Sequence, residues 1–275
     1  MYKQVRSRLS DYTARRLQAW HQQRTRAGVW PAVDATTWAR TPLGVRKWLR
    51  RRVLRPLEGV AKCGASESKY LSQVLSDNMS GWALSASTLA FLARHLETHQ
   101  PHCILEFGSG ASTKLFALYA REMKQLGKHV TFVSLEHDQD WLNQSISELK
   151  ESGLNEFVHL FHSDLVSQPL NGREIVSYKL PQECEMILRS AGGVDLFLID
   201  GPPRRVGRSG CLPVAAAYLA ENATIILDDA FRPEELNAMK NWFASFDGKL
   251  SRPSLLLLDS HGTGLMKWHC QEVSA

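Results

Sequence analysis

Short apolar runs at 103–107, 130–135, 157–161, 196–199 and 224–227 alternate with stretches of helical apolar spacing, and this rhythm limits the chain more than any other feature. Runs this short, apolar on both faces, read as strands covered from both sides. Helices are predicted near 112–126, 140–151, 182–189, 213–219 and 233–245, with another over 80–98 that starts at Ser85 or Ser87 as N-cap. Strand and helix in alternation imply a parallel sheet with helices on both faces. The last part breaks the rhythm. Only Asp259 to Gly264 separate the runs 254–258 and 265–268, too few residues for a crossover helix, so these two strands form an antiparallel hairpin. The expectation is an α/β fold: a doubly wound, mostly parallel seven-stranded sheet with a C-terminal antiparallel hairpin and a helical N-terminal extension.

With 44% apolar side chains in 275 residues the chain can bury one large core. No run approaches the roughly 20 apolar residues of a membrane helix, and the N-terminus is too charged for a secretory signal, so a cytoplasmic protein is expected. Cys63, Cys103, Cys184, Cys211 and Cys270 are odd in number, far apart and without C-x-x-C spacing; they read as small buried hydrophobes rather than zinc ligands or a disulfide framework.

Charge is unevenly distributed. Residues 1–60 hold fourteen Lys/Arg against three acids, net +11, which leaves −6 for the rest. A basic helical extension over 1–79, punctuated by Pro31, Pro42 and Pro56, thus precedes a domain over 80–275. Within it Val45, Trp48, Leu49 and Val53 share one stripe and arginines fill the remainder, a basic amphipathic helix. It either packs on the main domain or meets an anionic membrane surface, a nucleic acid or an acidic acceptor.

Ligands of open parallel sheets bind at the carboxyl ends of the strands. The first strand leads into Glu106-Phe107-Gly108-Ser109-Gly110-Ala111-Ser112-Thr113, a Gly-x-Gly turn ahead of a helix. Thr113 stands where a dinucleotide fingerprint wants a third glycine, and Glu106 suits a cationic ligand better than a pyrophosphate. The second strand ends in Glu136-His137-Asp138, 26 residues after Gly110, where a carboxylate can hold two ribose hydroxyls. The third ends in Asp164. Each acid could instead cap a helix or start a turn.

An acid followed by Gly-x-Gly resembles the first motif of class I S-adenosylmethionine-dependent methyltransferases, which have a Rossmann-like fold. The resemblance covers 80–270 and implies that Glu106, Gly108, Gly110 and Ser112 hold the methionine end of the cofactor, Glu136 the ribose and Asp164 the adenine amine. The fourth strand delivers Asp200-Gly201-Pro202, and the fifth Asp228-Asp229. Three carboxylates on neighbouring strand ends repel unless a positive charge lies among them. The pattern is similar to metal-dependent O-methyltransferases, which implies Mg²⁺ or another divalent cation on Asp200, Asp228 and Asp229, with Asp200 also beside the cofactor and catalytic. Turn and helix-cap roles are the plain alternative for these aspartates.

Asp-Gly-Pro is also similar to sugar-acid O-methyltransferases, so Arg204 and Arg205 become candidates for an anionic acceptor, with Trp82 and the basic helices as a lid. Arg208 lies in the same loop, as an acceptor ligand or a solvated charge, and His137 and His261 are acid-base candidates. The expected function is methyl transfer to a hydroxyl oxygen of a small molecule or saccharide. The alternatives are a nucleic-acid-binding or nucleic-acid-modifying methyltransferase that uses the basic N-terminus, and an NAD-binding oxidoreductase.

Overall fold

The computed structural model describes residues 2–57, 70–75, 84–170 and 173–269. After helix α1 (Tyr2–Arg26) come strand β1 (Ala32–Asp34) and helices α2 (Ala35–Arg40), α3 (Leu43–Leu49) and α4 (Leu71–Leu75). A π-helical turn, Arg50–Leu54, and a 3-10 turn, Arg55–Leu57, continue α3. The alternating part begins with α5 (Ala86–His99), β2 (Cys103–Phe107), α6 (Ala111–Gln125), β3 (Thr131–Glu136), α7 (Gln139–Glu151) and β4 (His159–His162). Strands β5 (Leu165–Leu170) and β6 (Arg173–Tyr178), helix α8 (Gln182–Ser190), β7 (Val194–Ile199), α9 (Cys211–Ala215), β8 (Leu219–Leu227), α10 (Pro233–Ser245), β9 (Ser254–Leu256) and β10 (Thr263–Lys267) follow.

The main sheet runs β1-β9-β10-β8-β7-β2-β3-β4. Strands β4, β3, β2, β7 and β8 are parallel neighbours, and β10 is antiparallel to both β8 and β9. The hairpin and the parallel sheet expected from the sequence are therefore present. The strand count differs: β1, from a region read as purely helical, adds an eighth strand antiparallel to β9. Three residues at an edge carry no periodicity, and their pairing partner lies over 200 positions away. The antiparallel pair β5–β6 forms a second small sheet, also unforeseen.

Local chemistry sets the boundaries. Ser85 caps α5 by accepting from Thr88 N at 3.1 Å, and Asp138 caps α7 by accepting from Asp140 N and Trp141 N at 3.1 and 3.0 Å. Pro233 opens α10, where its missing N–H costs nothing. Every residue of β2 and β3 is buried, and the pleat divides them. Leu105 and Phe107 enter the core under α8 to α10, while Ile104 and Phe132 enter the one under α5 and α6. Glu106, Ser134 and Glu136 share this second face. The basic segment 45–55 packs on the domain, with Val53 and Leu54 buried and Trp48 donating to Ser10 Oγ at 2.7 Å. Cys103, Cys184 and Cys211 are buried free thiols; Cys63 and Cys270 lie outside the described residues. Among the described residues no helix is long and apolar enough to cross a membrane.

Candidate cofactor and acceptor site

Strand order reverses between β2 and β7, which opens a crevice at their carboxyl ends. The loops after these strands are locked together. Gly201 N and Asp200 N donate to Phe107 O at 2.6 and 2.9 Å, and Gly108 N to Leu135 O at 2.8 Å. Gly108 has φ +94°, and a Cβ there would lie 2.7 Å from Gly201 N, so backbone conformation and space both require glycine. At Gly201 a Cβ would run into the Tyr178 hydroxyl. Around Gly110 the equivalent position is open space.

Glu106 lies fully buried at the foot of this turn. Its Oε2 accepts from Thr113 Oγ1 at 2.6 Å and Ser134 Oγ at 2.7 Å, whereas Oε1 has no hydrogen-bond partner. Burial pushes its carboxyl up to about 7, against the hydroxyls of Ser112, Thr113 and Ser134, and the charge of Asp200 adds to the rise. Ser112 thus serves Glu106. A buried carboxylate with one unpartnered oxygen at the foot of a glycine turn fits a ligand cation.

Glu136 is also buried, but differently supplied. His137 N and Asp138 N donate to Oε1 at 2.7 and 2.9 Å, Ser109 N and Oγ to Oε2 at 3.0 and 3.3 Å. Burial raises its pKa, yet the bonds from His137, Asp138 and Ser109 outweigh this and hold it below the ordinary value. All its usual acceptor positions are filled, so binding ribose hydroxyls requires exchange of the long Ser109 Oγ contact, a hydroxyl that also meets Ser145 Oγ at 3.0 Å. Asp164 is exposed at the end of β4, 4.0 Å from the His162 ring.

The strand ends of β7 and β8 bring Asp200, Asp228 and Asp229 together, with one carboxylate oxygen of each within 4.8 Å of the others. Among them lies Arg208, its side chain only 4% exposed. Nη2 donates to Asp200 O and stands 3.1 Å from Asp200 Oδ1 and 3.5 Å from Asp229 Oδ2; Nη1 donates to Asp228 O at 2.7 Å. Arg232 Nη2 adds a 2.6 Å ion pair to Asp229, and His261 Nδ1 lies 3.2 Å from its other oxygen. Burial raises Asp200 and Asp228, the latter well above the ordinary value and further through Asp200 and Asp229. Asp229 is lowered, since His261, Arg208 and Arg232 outweigh its burial.

A divalent ion suits these oxygens in donor type, but a buried guanidinium already occupies their centre. Two unit charges ~4 Å apart at an effective dielectric of ~20 interact by about 4 kcal/mol, and a divalent ion doubles the repulsion. As arranged, the residues do not fit Mg²⁺.

Arg204 pairs with Glu234 at 3.1 Å on the surface, and Arg205 is exposed. Trp82 lies outside the described residues. The extension reaches the rim by other residues: Trp38 stacks on Phe231 at 4.2 Å, and Arg50 stands 5.7 Å from the same ring while its Nε donates to Ser260 O at 2.7 Å. Sequence reasoning missed the roles of Arg208, Arg232 and Tyr178. The demand of three strand-end acids for a positive charge was the available signal for Arg208.

The strand order and the glycine turn on its switch-point rim define a Rossmann-like fold of the class I methyltransferase type. Residues 105–230 match a family model described as a methyltransferase domain. A protein of Klebsiella pneumoniae assigned as an O-methyltransferase is 19% identical, with a TM-score of 0.50 over 77% of this chain and 97% of its own. The O-methyltransferase TomG of Streptomyces achromogenes, involved in tomaymycin synthesis and solved in complex with SAM, is 16% identical, with a TM-score of 0.50 over 77% and 96%. These likenesses establish the fold. No curated protein matches the chain.

Proposed function

We propose that the protein transfers a methyl group from S-adenosylmethionine to a hydroxyl oxygen of a small molecule or saccharide that carries negative charge. One observation carries this reading: the unpartnered Oε1 of Glu106, buried below a glycine turn with open space at Gly110. The cofactor brings an ammonium and a sulfonium, and supplies a methyl group that leaves its sulfur as a new C–O bond forms. Glu106 holds the ammonium. Glu136 takes the ribose diol once Ser109 Oγ yields, and Asp164 the adenine edge. Asp200, next to the glycine turn through the Gly108–Gly201 contact, faces both cofactor and acceptor. His261, oriented by Asp229, receives the hydroxyl proton. Arg204 and Arg205 draw the anionic acceptor to the rim, and the protein acts in the cytoplasm.

Titration calorimetry with S-adenosylhomocysteine and with NAD tests the cofactor. One equivalent of S-adenosylhomocysteine should bind and NAD should not; tight binding of NAD alone would sink the reading. Glu106→Gln should weaken cofactor binding about tenfold or more, the loss of roughly one charge-assisted contact.

A further inference from the structure

We propose that Arg208 is the resident cation of the acidic rim: its guanidinium, and not a divalent ion, holds Asp200, Asp228 and Asp229 together, so the site works without metal.

The argument is geometric. Arg208 is as buried as a core residue, and its N–H groups tie together two loops. Nε meets Pro202 O at 3.4 Å and Nη2 meets both the carbonyl and the carboxylate of Asp200, all in the loop after β7. Nη1 meets Asp228 O at 2.7 Å and Nη2 meets Asp229 Oδ2 at 3.5 Å, in the loop after β8. Arg208 itself belongs to the first of these loops, which leads into α9. A buried guanidinium cannot shed its proton, so it persists only where carboxylates and carbonyls surround it. Arg232 supplies a second permanent charge 2.6 Å from Asp229. The carboxylates of Asp200 and Asp229 therefore already pair with guanidinium groups, and Asp228 is held through its main-chain carbonyl. A hard dication needs several free carboxylate or carbonyl oxygens, and here Asp200 Oδ1 and both oxygens of Asp229 are engaged.

Arg208 is a positioning residue: it touches no reacting atom but fixes the direction of Asp200 and the distance between the two loops. A planar fork with donors on two edges does this where an ammonium cannot. The inference does not depend on which methyl donor or acceptor is used.

The test measures Mn²⁺ binding by electron paramagnetic resonance, and melting temperature with and without Mg²⁺ or a chelator, on the full chain and its Arg208→Gln and Arg208→Lys variants. The wild type should bind no stoichiometric Mn²⁺ below about 1 mM, and its melting should ignore the chelator. Arg208→Gln removes the charge but keeps the three acids; it should melt lower and bind Mn²⁺ at least about tenfold more tightly, regaining stability with Mg²⁺. Arg208→Lys should regain stability only in part without metal. One tight Mn²⁺ per wild-type chain, lost in Asp228→Asn, would overturn the proposal, as would a folded Arg208→Gln that metal does not stabilise. Should Arg208→Gln fail to fold, the wild-type titration decides alone.

Discussion

At the level of single residues, Glu106 makes the rim sensitive to pH. Its folded pKa of about 7 exceeds the ordinary 4.5, so between these values the native state binds more protons than the unfolded chain. The stabilisation this gives is full below pH 4.5 and disappears as pH rises through 7. Thermal melts should therefore show Glu106→Gln gaining on the wild type from pH 5 to pH 8; a constant difference would contradict the raised pKa. A cofactor ammonium favours the ionised form, so binding near pH 7 should release protons and at pH 9 release none, measurable by calorimetry in buffers of different ionisation enthalpy. Tyr178 offers a second test, because its buried hydroxyl has no hydrogen-bond partner and blocks a Cβ at Gly201. Gly201→Ala should cost about 1–3 kcal/mol in denaturant unfolding, and noticeably less in a Tyr178→Phe background, where the hydroxyl is gone. Tyr178→Phe alone should be close to neutral. Glu106, Glu136 and Asp200 were legible as strand-end acids because loops after parallel strands share one rim whatever the details. Arg208 was not: four residues after Arg204 in the same Gly- and Ser-containing turn, its burial is decided by contacts with Asp228 and Asp229 in the loop after β8.

Among the secondary-structure elements, those of the alternating part were readable because burial on both faces writes itself as an apolar run, and because Ser85, Asp138 and Pro233 mark helix starts. The β5–β6 pair escaped notice although Asn171-Gly172 is a hairpin signal; Gln168 and Pro169 interrupt the alternation that would have drawn attention to it. Strand β1 and α2 join the extension to the functional rim. Asp34 ends β1 and caps α2 by accepting from Thr37 N at 2.9 Å, which sets Trp38 against Phe231 in the loop after β8. Trp38→Ala should lower stability by about 3–5 kcal/mol in chemical denaturation. If the ring only fills space, turnover of the folded variant will be normal; its stacking on Phe231 predicts instead that turnover falls more than cofactor affinity does.

On the scale of the whole molecule, part of the basic set near the N-terminus is engaged internally. Arg50 reaches Ser260 O and the Phe231 ring, and Arg52 lies 3.6 Å from Asp11. Arg204 and Arg205 remain at the surface near the rim. For an anionic acceptor kcat/KM should fall as salt rises about tenfold, from ~0.05 to ~0.5 M, while a neutral acceptor responds little. Strand β9 lies between β1 and β10, and β10 also borders β8. During synthesis, β1 leaves the ribosome long before either of these neighbours exists. Its backbone donors and acceptors must stay with water, or with a chaperone, until translation has passed position 267, and the strand-end rim that Trp38 and Arg50 brace can mature only after that.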